Sequence, residues 1–435
     1  MTGGLIGVAV TLGCLVLGIP VGISLGTGGF LGLFFYYNCN FSLALSSLAS
    51  MPYYSIANFE YTIIPLFIIM GILCLHAGMG EEIYDTTSKW FGRLKGGLGV
   101  ATIAGCSAFG ACTGSSAVAA AVFTKISLPQ MLRYNYDKSF ASGTIAAGAC
   151  LGMLIPPSGL AVIYGILSQA SIGKLLIGGI GPGLLLTVMW SIGIIFKTWF
   201  QPQLAPAVEI KVSWKERFSS LKGLWGPAVL GVVILGGMYT GWFTATEAAA
   251  AGAFVGFIIY ILRVGFRWDR LKEALLESGS TSCMIFLIFM GAIIFSRMLA
   301  VCGISSKVLN GIVDSGLSPT TILFLILLVY LVLGCFLDSI SMLTLTIPIL
   351  SPVFEKLGFD PIWIGLVVIV TIEMGMLTPP MGLTVYVVKG TAGGILTLEE
   401  VFRGIFFFLW IMGIGVLILI YCPWIITYLP NLMYQ

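Results

Sequence analysis

Long apolar runs joined by short polar segments dominate this chain, and a helix that crosses lipid needs about 20 such residues. Runs at 5–20, 21–36, 61–78, 140–168, 175–196, 226–238, 248–262, 281–302, 362–388 and 405–426 read as spans. Two further runs, 97–133 and 319–353, are too long for one span and too short for two spans with a turn. Small polar residues break each near its middle: Thr113-Gly114-Ser115-Ser116 in the first, Asp338-Ser339 in the second. The pattern predicts two re-entrant hairpins, each a pair of half-helices meeting at a tip near mid-membrane. The segments 38–55 and 80–96 read as surface-lying braces.

Composition agrees with a lipid solvent: 58% of the 435 residues are hydrophobic and only 9% charged, with a mean hydropathy of +1.05. A soluble protein of this length needs far more charge to cover its surface. Lys and Arg (21) nearly balance Asp and Glu (18), which argues against a nucleic-acid partner. Residues 1–17 lack the basic start of a cleavable signal peptide, so the first run reads as a permanent span. His76 is the only histidine, which argues against a His-ligated transition-metal centre or a His-based triad. The ten cysteines contain no Cys-x-x-Cys and read as buried thiols. Basic residues give the orientation: Lys89, Arg93, Lys95, Arg133 and Lys138, then Lys197, Lys211, Lys215, Arg217 and Lys222, then Arg263, Arg267, Arg270 and Lys272 are expected on the cytoplasmic side. The second hairpin then opens from outside, and both termini are external. Trp90, Trp214, Trp242 and Trp424 fall near the expected interfaces.

An internal repeat organises the chain. Gly152-Met153-Leu154-Ile155-Pro156-Pro157-Ser158-Gly159-Leu160-Ala161-Val162 recurs at Gly375-Met376-Leu377-Thr378-Pro379-Pro380-Met381-Gly382-Leu383-Thr384-Val385, 223 residues on, with three differences. The same offset pairs Cys112 with Cys335, Ser116 with Ser339, Pro129 with Pro352 and Asp137 with Asp360. An odd number of spans between the hairpins makes the repeats inverted. Inverted repeats with broken helices at matching places mark a transporter whose site lies at their interface. The expected fold is an all-α polytopic membrane protein: scaffold spans and a surface arm at 1–60, a first repeat at 61–200 with a hairpin (97–133) and a Pro-Pro-broken helix (138–170), linking spans and basic loops at 201–275, and a second repeat at 276–435 with a hairpin (319–353) and a broken helix (361–390).

Broken helices carry the chemistry. Carbonyl ends suit a dehydrated Na⁺, and N–H ends, with their positive dipole, suit a carboxylate or sulfonate. Pro156-Pro157 and Pro379-Pro380 are fit to start a second half-helix, while Gly152, Gly159, Gly375 and Gly382 permit close approach beside the break. Ser115, Ser116 and Ser339 offer hydroxyls that serve a site, cap a helix, or both. Asp338 either serves a cation or orders its tip. Glu373 is a cation ligand or a buried hydrogen-bonded acid, and Arg297 either meets the anion or snorkels outward.

These residues resemble the large membrane subunit of a tripartite ATP-independent periplasmic (TRAP) transporter. The likeness covers nearly the whole chain: Leu17-Gly18-Ile19-Pro20-Val21, Ile64-Pro65-Leu66-Phe67-Ile68, Phe109-Gly110-Ala111, Gly114-Ser115-Ser116, Thr244-Ala245-Thr246-Glu247-Ala248-Ala249, Phe336-Leu337-Asp338, Thr346-Ile347-Pro348-Ile349-Leu350 and both Pro-Pro motifs. Ala245 stands where the family usually has proline, and Gly159 and Thr384 where it has isoleucine and asparagine, so no ligand preference carries across those positions.

The resemblance implies a multi-pass protein of a bacterial or archaeal inner membrane that imports a small organic anion with Na⁺ by an elevator motion. Its expected partners are a separate four-helix membrane subunit and a periplasmic substrate-binding protein. It implies cation sites at Gly114, Ser115, Ser116, Gly152 and Pro156, and at Asp338, Ser339, Gly375, Thr378 and Pro379. It implies a substrate site among Ser116, Ser158, Gly159, Ser339, Met381, Gly382 and Thr384, with Arg297 as a further candidate. No cofactor beyond the coupling ion and no enzymatic activity is expected, since His-Glu-x-x-His and Gly-x-Ser-Gly are missing. The alternative is a single-component elevator symporter that needs no binding protein.

Overall fold

The computed structural model describes residues 2–54, 57–206 and 212–433, so Ser55 and Lys211 lie outside the described residues. Every regular element among them is helical. Six helices are long and apolar enough to cross a membrane, and the shorter apolar helices include Thr2–Val16, Val21–Tyr36, Pro319–Gly334 and Pro361–Gly375.

Lipid supplies no hydrophobic drive between helices, so close backbone packing decides how they associate. Helices Thr2–Val16 and Val21–Tyr36 meet along two small-residue ladders. A Cβ on Gly3 would lie 2.7 Å from the Gly32 carbonyl oxygen, and one on Gly7 2.7 Å from that of Gly28. Gly29 packs in the same way on Ile294 of the long helix Trp268–Val301. These three helices, with Phe41–Leu48 laid against them, enclose their own small apolar cluster around Leu25, Leu33, Phe295 and Met298. Most of the other buried apolar residues form one larger core around the two repeats.

Helix ends follow from local sequence. Thr244-Ala245-Thr246-Glu247 is a capping box: the Thr244 hydroxyl accepts from the Glu247 N–H, and the Glu247 carboxylate accepts from the Thr244 N–H. Ala245 is the first helical residue, a position where proline is equally at home. Asp137 caps helix Lys138–Cys150 and its repeat mate Asp360 caps Pro361–Gly375, each accepting from backbone N–H groups at 2.8–2.9 Å. The repeat pattern at these positions is therefore a capping pattern.

Both hairpins form. Gly97–Thr113 turns at Gly114 into Ser116–Arg133, and Pro319–Gly334 turns at 335–338 into Ser339–Lys356. Each arm has 16 to 18 residues, about 24–27 Å, longer than the half-helices expected from a ~30 Å hydrocarbon layer. The broken helices also form. Lys138–Cys150 ends in a 3₁₀ turn, Leu151–Met153, and resumes as Gly159–Ser168; Pro361–Gly375 resumes as Leu383–Thr391. Both Pro-Pro peptide bonds are cis. One expected boundary moves: the span anticipated at 281–302 begins at Trp268. Arg270 and Lys272, assigned to a basic loop, sit in its first turns, because a helix satisfies its own backbone and can continue out of lipid without a break.

The inverted repeat makes a topological prediction. In oriented membrane vesicles, with exposed Cys39 and Cys283 removed, single cysteines at exposed Tyr134 and Leu317 should react with an impermeant maleimide from opposite faces. Reaction of both from one face would contradict the inversion.

Candidate functional site

Each tip docks backbone-to-backbone on its own broken helix. At the first tip, Gly114 is left-handed (φ 59°), which stops one arm and lets the next begin. A Cβ there would meet the Pro157 carbonyl oxygen at 2.5 Å, and one on Gly152 would meet the Ser115 oxygen at 2.9 Å. Ser115 is the N-cap, accepting from the Val118 N–H at 3.4 Å, and Ser116 is buried at the first helical position. Across the break, Ser158 caps Gly159–Ser168, accepting from the Ala161 N–H at 3.2 Å and donating to the Met153 carbonyl.

The second tip repeats this with different chemistry. Glycine again allows the close approach: a Cβ on Gly334 would lie 2.6 Å from Cα of Gly375, as one on Gly110 would from Cα of Gly152. The Cys335 thiol reaches the Pro379 carbonyl at 3.3 Å. Asp338, the repeat mate of Ser115, is the N-cap, accepting from the Ile340 and Ser341 N–H groups at 3.1 Å each and from the Ser341 hydroxyl. The Ser339 hydroxyl donates to Glu373 Oε1 at 3.0 Å and touches the Met376 sulfur. Thr378 bonds back to the Met374 carbonyl at 2.8 Å. Where Ser158 capped the first break, the second has half-exposed Met381 followed by left-handed Gly382.

The two units converge on one cavity of about 390 Å³. Gly114, Ser115, Ser116, Asp338 and Ser339 line it from the tips, and Pro157, Gly159 and Met376 from the breaks. Its remaining wall is the helix Ile63–His76 and the Glu277–Met284 stretch of the long helix. Near that end His76 Nε2 lies 3.0 Å from Glu277. Gly152, Pro156, Gly375, Thr378 and Pro379 stand in the breaks beside or behind the tips.

Arg297 is not brought to this place. It lines a second cavity of about 520 Å³ with Tyr61, Gln169, Ser296 and Glu355. That cavity lies toward the other end of the long helix, where Arg297 stands about 30 Å from Glu277 at 1.5 Å per residue. Sequence reasoning left Glu373 open and missed its surroundings. Glu373 is fully buried directly beneath Ser339, and its repeat mate is Cys150. Met153 and Met376, also repeat mates, both line the cavity. The 223-residue offset held the signal for all four.

The sequence profile described as "Tripartite ATP-independent periplasmic transporter, DctM component" matches residues 8–425. The C4-dicarboxylate TRAP transporter large permease protein DctM of Pseudomonas aeruginosa is 32% identical over 390 residues, covering 89% of this chain and 90% of that protein. The isethionate TRAP transporter permease protein DctMQ of Oleidesulfovibrio alaskensis is 30% identical over 382 residues, 87% of this chain and 59% of that longer protein. These relatives are permeases, not enzymes. The crystal structure of the Alcanivorax borkumensis YdaH transporter has a similar fold, with a TM-score of 0.63 at 13% identity over 88% of this chain and 90% of that one.

The docking geometry sets a stability test. Gly114→Ala forces a Cβ onto the Pro157 carbonyl from a left-handed backbone and should cost about 1–3 kcal/mol. Gly279→Ala, where nothing lies within 4 Å in a helix, should be neutral or stabilising by up to ~1 kcal/mol. Thermal unfolding of the two detergent-purified variants checks the contrast.

Proposed function

The chain belongs to the DctM component family of tripartite ATP-independent periplasmic transporters, and from that premise we propose that it is a Na⁺-coupled importer of a small organic anion, a carboxylate or a sulfonate. The observation that carries this is the convergence of two capped tips and two Pro-Pro breaks on one cavity. Each tip-and-break unit would hold a Na⁺ through hydroxyls and backbone carbonyls, and the anion would lie between the tips near Ser116 and Ser339, within reach of helix N-termini. The names of the two relatives, one for C4-dicarboxylate and one for isethionate, support an anionic cargo without choosing one.

Movement would follow an elevator. The hairpins and broken helices pack on each other through the larger core, while Thr2–Val16, Val21–Tyr36 and the outer part of Trp268–Val301 carry a cluster of their own. The second hairpin also touches that smaller cluster through Leu345 and Ile349, a contact that would slide in such a motion. The cavity reaches Glu277, next to the basic cluster expected in the cytoplasm, so this arrangement corresponds to an inward-open state. A binding protein outside the inner membrane would deliver the anion, and a separate small membrane subunit would brace the scaffold.

Uptake into proteoliposomes holding both membrane subunits should require a Na⁺ gradient and the cognate binding protein. Uptake indifferent to the binding protein would favour a single-component symporter. At the second tip, Asp338→Ala should weaken Na⁺ dependence and lose about 1 kcal/mol of capping. Asp338→Asn keeps the cap and removes the charge. If Asn restores the sodium response fully, Asp338 only orders the tip.

A further inference from the structure

We propose that Glu373, together with the Ser116 and Ser339 hydroxyls, forms a central sodium site between the two hairpin tips, distinct from the sites formed by each tip with its own break. The inference rests on the sodium-coupled reading above and adds an ion that both repeats share.

Glu373 has no exposed surface. Its Oε1 accepts from Ser339 at 3.0 Å, and its Oε2 has no hydrogen-bond partner. Among the described residues the ion pairs are His76–Glu277, Lys89–Asp85, Arg263–Glu82 and Arg403–Glu399, and none reaches Glu373. A buried carboxylate without a counter-charge is strongly disfavoured, so the group either keeps a proton or takes a cation from outside the protein, and the open side at Oε2 is where that cation would sit. Ser116, the repeat mate of Ser339, is buried at the opposite tip and lines the same cavity. Thr384 is buried and likewise without a hydrogen-bond partner.

The donors are a carboxylate and two hydroxyls, a set that selects a small hard cation. A path exists, because Ser116, Ser339 and Met376 all line the cavity. The site is also placed to couple the repeats. Glu373 and Cys150 are repeat mates in contact, Cys150 Sγ lying 3.8 Å from the Glu373 carbonyl oxygen, so the carboxylate sits close to the axis relating the two halves. An ion there touches Ser116 of one tip and Ser339 of the other. It would lock the tips together when bound and loosen both when it leaves.

The test uses the purified complex of this chain with its small subunit in detergent, titrated with NaCl against choline chloride and read by thermal unfolding. Wild type should be stabilised by sodium with a steep, multi-ion response. Glu373→Gln should raise the sodium midpoint at least tenfold and lower the steepness, and Ser116→Ala and Ser339→Ala should each raise the midpoint several-fold. A folded Glu373→Gln whose midpoint stays within twofold of wild type overturns the site. If Glu373→Gln fails to fold, Glu373→Asp decides: a several-fold rise supports the site and an unchanged midpoint overturns it. A wild-type complex indifferent to sodium overturns the sodium-coupled reading itself, a result separable from the loss of this one site.

Discussion

Broken backbone inside a membrane protein must find all its hydrogen-bonding partners within the protein, and this structure is organised around that demand. Each interruption is placed against another interruption. Gly114 and Ser115 lie on Pro157 and Gly152, while Gly334 and Cys335 lie on Gly375 and Pro379. The approach is so close that only glycine fits at the crossing points, and the free helix starts are closed by Ser115, Asp338 and Ser158. The same geometry that satisfies the backbone leaves polar groups converging on one cavity. Stability and binding here are two consequences of one arrangement.

The repeats share a backbone plan and differ in charge. Ser115 and Asp338 do the same capping work, but only the second brings a carboxylate. Cys150 and Glu373 occupy the same place in each half, and again only the second is acidic. Ser158 caps its half-helix, while Met381 cannot and leaves the turn to Gly382. Symmetry supplies the frame, and the substitutions distribute charge unevenly inside it.

Much of this was legible in the sequence, because helix breaks in lipid leave loud signals. An apolar run interrupted by Gly-Ser-Ser or Asp-Ser has few foldable outcomes, and the exact recurrence of Pro-Pro with its glycines fixed the pairing of the halves. Capping was read at the tip serines, while Asp137 and Asp360, read only as a repeat pair, and Thr244/Glu247 turn out to cap helices through local bonds too. What stayed hidden depends on distant packing. Nothing local tells that the long helix starts at Trp268, since polar residues continue a helix as readily as they end one. Arg297 stood between meeting the anion and snorkelling outward, and its place is set by how that helix leans on Ile63–His76 and the second hairpin, which put it in another cavity. Glu373 could not be resolved because its meaning lies in Ser339 and Cys150, 34 and 223 residues away.

The inversion also explains why one state is seen and how a second could exist. Gly71 and Gly291 hold corresponding places in the two halves, each in an Ile-x-Met-Gly run. A Cβ on Gly71 would meet the Thr113 carbonyl oxygen at 2.8 Å, so the first tip rests on its scaffold helix there. Gly291 is instead taken up by Gly22 of another helix, and the second hairpin meets the long helix along Ser339–Lys356, with Leu345 and Ile349 against the smaller cluster. Two halves with the same plan therefore stand in different relations to the helices around them. Because interlocked cores are bistable and do not deform continuously, the proposed elevator needs no new fold to reach its outward state. It needs the two halves to exchange these relations, and inverted repeats are the arrangement in which that exchange costs least.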